Sequence, residues 1–199
     1  MNLIENGNFE TRELSPWEVT EGDSADVVFP TSPTDKAALF KKGLAFRQPL
    51  DAAAINEAPA FALQARGRAV PGTESNPTRT VTAIYLMLQT ITESEEQFYT
   101  FVAEMHQGWT TFSRDFYFQR NPEPIIEAWF HCELVLVDHI YPEQPHVPLD
   151  TWLTGFELSI IDEGDASATL QKRPRLPGSN VEPLKPSDLP CDEVKGPRR

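Results

Sequence analysis

Residues 125–138 read IIEAWFHCELVLVD, and side-chain type alternates along them with a period of two. Ile126, Ala128, Phe130, Cys132, Leu134 and Leu136 fall on one side, and Glu127, Trp129, His131 and Glu133 on the other. An aromatic ring flanked by a carboxylate and an imidazole on an outward strand face suits sugar recognition. The ring stacks on the apolar face of a pyranose, and polar side chains around it take the hydroxyls. The stretch TVTAIYLMLQT (80–90) offers Tyr85 and Gln89 in the same way, and FALQARGR (61–68) offers Gln64 and Arg66. If these strands share a sheet, the residues form a shallow glycan platform. Interfaces also favour Trp, Tyr and Arg, so the same face reads equally as a surface for a loop, a tail or another subunit.

Signals for catalysis are weak. The chain has no Gly-x-Ser-x-Gly elbow, phosphate loop, dinucleotide fingerprint or His-Glu-x-x-His. His106, His131, His139 and His146 show no metal-ligand spacing on one short element. Asp138 and His139 are neighbours, so on a strand they point to opposite faces. Glu93, Glu95 and Glu96 form a run of the kind that is usually solvated. A glycosidase needs two carboxylates at a set separation in a cleft, and a lean chain of short strands leaves little room for one. The expectation is a protein that is not an enzyme and requires no cofactor.

The elements that must carry these residues are mostly strands. Besides the stretches already quoted, 97–105, 112–119 and 152–161 alternate and are rich in β-branched and aromatic residues. In 112–119, Phe112, Phe116 and Phe118 fall together, opposite Asp115 and Tyr117. One helix is expected, Asp51–Glu57, with Asp51 as its N-cap and Pro59 as a stop. Many strands joined by turns marked with Pro and Gly predict an all-β sandwich over 1–162. Composition changes after Asp162: residues 163–199 hold Pro174, Pro177, Pro183, Pro186, Pro190 and Pro197 and no aromatics, as an extended Pro-rich tail would.

Bulk properties narrow the partners. A formal net charge of −13 over 199 residues argues against nucleic acid and against an anionic membrane surface. Two cysteines, Cys132 and Cys191, make neither a disulfide framework nor a zinc motif. Cys132 reads as a small buried hydrophobe. No signal peptide is visible after Met1, so synthesis in the cytoplasm is expected.

Three stretches resemble one family. NLIENGNFETRELSPWEV (2–19) is similar to the opening of carbohydrate-binding modules with a galactose-binding-like jelly-roll fold, which begin Asn-Leu-x-x-Asn-Gly-x-Phe-Glu and continue to a Trp. LAFRQPLD (44–51) resembles their next strand, and GWTTFSRDFYF (108–118) their Trp-x-x-Phe strand. The resemblance spans 2–161 and implies a jelly-roll β-sandwich. It implies that Phe9, Trp17 and Trp109 are packing residues rather than ligands, that the opening is a first strand and its turn, and that Gly7 permits the bend. It also implies a structural calcium ion held by Glu10 and a closing Asp. The matching stretch TGFEL (154–158) has no Asp, and Glu157 alternates away from the required side.

Two functions follow as expectations. The first is a binding or structural component on the surface of a larger assembly, such as a decoration or attachment protein of a phage virion. Its tail would engage neighbouring protein subunits, and the protein would be a homo-oligomer. The alternative is a stand-alone glycan-binding module of a polysaccharide-degrading system, with cell-surface or plant polysaccharide as partner.

Overall fold

The computed structural model describes residues 1–32, 36–70, 81–117, 123–134 and 149–161. The Pro-rich segment 163–199 lies outside the described residues, as does the end of the strand expected to run to Asp138. Among the described residues there are ten strands: β1 Glu18–Glu21, β2 Val27–Val28, β3 Ala38–Phe40, β4 Ala45–Leu50, β5 Ala60–Ala69, β6 Val81–Ile91, β7 Glu96–His106, β8 Thr110–Tyr117, β9 Glu127–Glu133 and β10 Thr151–Ile161. An α-helix, α1 (Ala52–Glu57), follows β4. No helix among the described residues is long and apolar enough to cross a membrane.

The strands form two five-stranded antiparallel sheets. The front sheet runs β1-β4-β9-β6-β7 and the back sheet β2-β3-β10-β5-β8. Neighbours in each sheet are mostly distant in sequence, which is jelly-roll connectivity. The alternation read from the sequence settles which side of each strand faces inward. In β9, Ala128, Phe130 and Cys132 are buried; in β6, Ile84, Leu86 and Leu88; in β5, Phe61, Leu63 and Ala65. Cys132 is fully buried, and that burial raises its thiol pKa well above the usual value.

Aromatic rings occupy the space between the sheets. Phe40 of the back sheet stacks on Phe46 of the front sheet, with centroids 4.3 Å apart and planes 13° apart. Trp17 packs edge-on against Phe46 and Phe130 and lies 5.3 Å from Phe156. Nearer the other end, Phe61, Tyr99, Phe101, Phe112 and Phe116 form a second set. Asp51 caps α1 as expected, its carboxylate accepting from the backbone N–H groups of Ala53 and Ala54.

The opening segment differs from its expectation. Residues 3–17 form no strand; Asn2 makes a single bridge to Ser159, and the chain then turns repeatedly before β1. Asn6, Phe9 and Arg12 take positive φ, so these turns are tighter than a strand permits. The segment runs beside the second half of β10, with Leu3 N–H donating to the Leu158 carbonyl and Phe156 N–H to the Gly7 carbonyl. Asn2 Oδ1 accepts from the N–H of Leu158, and Gln48, fully buried in β4, clamps Glu5 by accepting from its N–H and donating to its carbonyl. Phe9 and Trp17 are buried, as packing residues should be. Gly7 is required for a reason other than a bend: a Cβ there would meet the Phe156 carbonyl oxygen at 2.1 Å.

Candidate binding faces

The residues singled out from sequence divide between the two outer faces of the sandwich. On the front sheet, β9 lies between β4 and β6, with His131 opposite Arg47 and Met87, Trp129 opposite Pro49 and Gln89, and Glu133 opposite Tyr85. Antiparallel registry therefore places Trp129, His131, Glu127, Gln89 and Tyr85 side by side on one outward face. Phe98 of β7 extends the row Trp129–Gln89 and is 53% exposed.

Polar contacts fix this face. Trp129 Nε1 donates to Glu127 at 3.5 Å, and the Arg47 guanidinium sits 4.0 Å from the centre of the Trp129 ring. Arg47 also approaches Glu18 of β1, with Nε 3.5 Å from Oε2. Gln89 bridges two neighbours: its amide N–H donates to Glu96, and its carbonyl oxygen meets His131 Nε2. Since that oxygen can only accept, His131 donates from Nε2 in this arrangement. Burial lowers the His131 pKa, and the Arg47 charge lowers it further, against an opposing effect of Glu96. The ring is thus kept neutral to lower pH than a free histidine.

Glu133 also lies on this face, where the alternation two positions beyond His131 puts it, although it was not singled out for sugar contact. It lies across from Tyr85. Its pKa is raised, first by burial and then by the carboxylate of Glu21. A half-buried carboxylate short of a cation is a strong acceptor in search of a donor.

Gln64 and Arg66 do not belong to this platform. Their strand, β5, is in the back sheet between β10 and β8, on the opposite outer face of the molecule. There they line a groove of about 690 Å³ with Asn8, Lys36, Arg68, Trp109, Trp152 and Thr154. Trp109, a packing residue by resemblance, packs on this outer face. It is 40% exposed and packs against the guanidinium groups of Arg66 and Arg68, at 5.0 and 5.2 Å from its ring centre. In β8 the even-numbered Phe112 and Phe116 pack against the core, so the odd-numbered position 109, just before the strand, points outward.

Glu10 lies beside this groove. Its carboxylate is 2.8 Å from Lys36 Nζ and accepts from Asn8 Nδ2, and the Lys36 contact lowers its pKa. An ammonium group thus stands where a calcium ion would need to approach. Among the described residues no group of three or more His, Cys, Asp or Glu could hold a metal, whereas calcium takes about six to eight oxygens. The residues around Glu10 do not fit that ion.

No protein-family model matches the chain, and no curated protein matches it in sequence. Solved structures do match it in shape. The N-terminal tandem of two family 22 carbohydrate-binding modules from Paenibacillus barcinonensis Xyn10C superposes with a TM-score of 0.59 at 10% identity over 81% of this chain. This chain spans 49% of that tandem's length. The second of those modules, a xylan-binding domain, gives 0.56 at 10% identity, covering 78% of this chain and 98% of its own. The module TmCBM61, solved with β-1,4-galactotriose, gives 0.50 at 16% identity, covering 81% of this chain and 99% of its own. The chain is an all-β jelly roll with the galactose-binding-like fold of the carbohydrate-binding modules.

Proposed function

We propose that this chain is a non-catalytic glycan-binding protein and that it binds through the outer face of the front sheet. The observation that carries this reading is the registry of β4, β9, β6 and β7, which gathers Trp129, His131, Gln89, Tyr85 and Glu133 on adjacent positions. Trp129 and Tyr85 supply ring faces for a pyranose, while Glu133, Gln89 and His131 supply acceptors and donors for its hydroxyls. Gln89 and His131 are already held through their contact with each other and with Glu96, so little of their side-chain entropy remains to be lost on binding. A xylan-binding domain and a galactotriose-binding module share the fold, which supports a neutral polysaccharide, of cell-surface or plant origin, as the ligand class. On a glycan array the wild-type chain is retained and Trp129→Ala is not, with an unchanged circular dichroism spectrum. Equal retention of the two would refute the reading.

The finer role we assign is a surface or attachment component of a larger assembly, such as a phage particle. Residues 163–199 would engage a neighbouring subunit, and the chain would be a homo-oligomer. The composition of that segment supports this: six prolines and no aromatic residue suit an extended arm that orders on a partner. The alternative is a stand-alone glycan-binding module of a polysaccharide-degrading system. Light scattering separates them. The assembly role predicts an oligomer that dissociates when 163–199 is deleted, and the alternative predicts a monomer with or without that segment.

A further inference from the structure

We propose that the groove on the outer face of the back sheet is a second saccharide site, selective for an acidic oligosaccharide built from uronic acids. This site is independent of the front-face reading, because it uses the opposite sheet and none of the same residues.

Registry again builds the site. Trp152 of β10 is opposite Arg68 of β5, and the next position on β8's side of Arg68 is Trp109. One cross-strand row therefore runs Trp152–Arg68–Trp109, and the Arg68 guanidinium lies 5.8 and 5.2 Å from the two ring centres. The next row is Thr154–Arg66–Thr111, and the one after it brings Gln64 between Glu157 and Ser113. A bulge in β10 between Thr154 and Glu157 places Gly155 at the groove, with φ of +61°. With no side chain at Gly155, the surface beside Arg66 stays open. Lys36 and Asn8 close one side.

The electrostatics of this groove oppose those of the molecule. The chain carries a net charge of −13, yet Lys36, Arg66 and Arg68 converge here. Lys36 is paired with Glu10, whereas Arg66 and Arg68 make no ion pair among the described residues. The other carboxylates along these strands are Glu157, beside Gln64, and Asp115, farther along β8 opposite Ala62. Two guanidinium groups supported on indole rings keep their N–H edges free. That geometry accepts a carboxylate through two parallel hydrogen bonds.

The remaining lining chooses the ligand class. The exposed Trp109 and the half-buried Trp152 offer ring faces, while Gln64, Asn8 and Thr154 offer amides and a hydroxyl to sugar hydroxyls. A volume of about 690 Å³ suits a short oligosaccharide. A long nucleic acid would have to continue past an otherwise acidic molecule, which disfavours it.

The test is calorimetric titration of the full chain with α-1,4-trigalacturonate and, separately, with neutral β-1,4-galactotriose, at low and at moderate salt. Trigalacturonate is expected to bind more weakly as salt rises. Arg68→Gln and Arg66→Gln are each expected to weaken it by roughly tenfold or more, as loss of a charged hydrogen-bond donor should. Arg68→Lys keeps the charge without the fork and should fall between wild type and Arg68→Gln. Trp129→Ala should leave this affinity unchanged, so failure here and failure of the front-face reading are distinct results. The proposal is overturned if trigalacturonate does not bind, or if both glutamine variants bind it like wild type. It is also overturned if Trp129→Ala abolishes binding, or if single-stranded DNA binds more tightly than trigalacturonate.

Discussion

Substituting Gly7 by alanine should destabilise the protein severely, although Gly7 has no unusual φ. An alanine Cβ would stand 2.1 Å from the Phe156 carbonyl oxygen and 3.0 Å from its carbonyl carbon. Ordinary carbon–oxygen contacts are about 3.3 Å or longer, so the two backbones must part by roughly 1 Å. Phe156 N–H donates to the Gly7 carbonyl at 3.0 Å across this same contact, and that bond would be lost or stretched. Phe156 cannot follow freely, because its ring meets Phe9, Trp17, Phe46 and Phe130 in the centre of the core. Overpacking costs about 1–3 kcal/mol and a lost hydrogen bond about 0.5–1.5, so the sum is about 2–4 kcal/mol. In a domain of this size that lowers the melting temperature by roughly 5–15 °C. Urea unfolding measures it, with Gly108→Ala as the control. A Cβ on Gly108 would meet nothing within 4 Å, so its change should stay within about 0.5 kcal/mol. If the two variants unfold at the same urea concentration, the close approach of the opening turns to β10 is wrong.

Other expectations follow from single contacts. Asp51→Ala removes the acceptor for the Ala53 and Ala54 N–H groups and should cost about 1 kcal/mol by urea unfolding, while Asp51→Asn retains most of it. His131 has a folded pKa below its ordinary 6.5, so the unfolded chain binds more protons between those two values. Its contribution is complete above 6.5 and is lost as pH falls toward the folded value. Wild type should therefore lose more stability than His131→Gln between pH 7.5 and 5, and parallel profiles would contradict this. Glu133 has the opposite sign: its folded pKa is raised above 4.5, so stability present below 4.5 is lost as pH rises through the folded value. Glu133→Gln should gain stability relative to wild type on going from pH 4 to pH 7, while weakening glycan retention at neutral pH.

Much of this architecture is legible in local pattern. The alternation in β9 separates Phe130 and Cys132 from Trp129 and His131 because a strand has two faces and only one meets the core. The Asp51 cap is legible because its carboxylate acts two and three residues away. Sheet membership is not local. Nothing within FALQARGR states that β5 pairs with β10 and β8, so Gln64 and Arg66 fell on the face opposite Trp129. Trp109 shows a different limit. The resemblance to carbohydrate-binding modules marked it only as a packing residue, while the phase of Phe112 and Phe116, carried three residues back, already placed it outside. The role of Gly7 could not be read at all, since the Phe156 carbonyl it accommodates lies far along the chain.

If the outer face of the front sheet binds neutral glycan, the ligand perturbs the residues on that face. Titrating β-1,4-galactotriose or xylohexaose into isotopically labelled protein and following the amide and side-chain NMR signals tests it most directly. Shifts should centre on the Trp129 indole N–H, His131, Gln89, Tyr85 and Glu133, and Trp129→Ala should remove them. Saturating oligosaccharides that leave those signals in place, or that shift only groups on the back sheet, would contradict it.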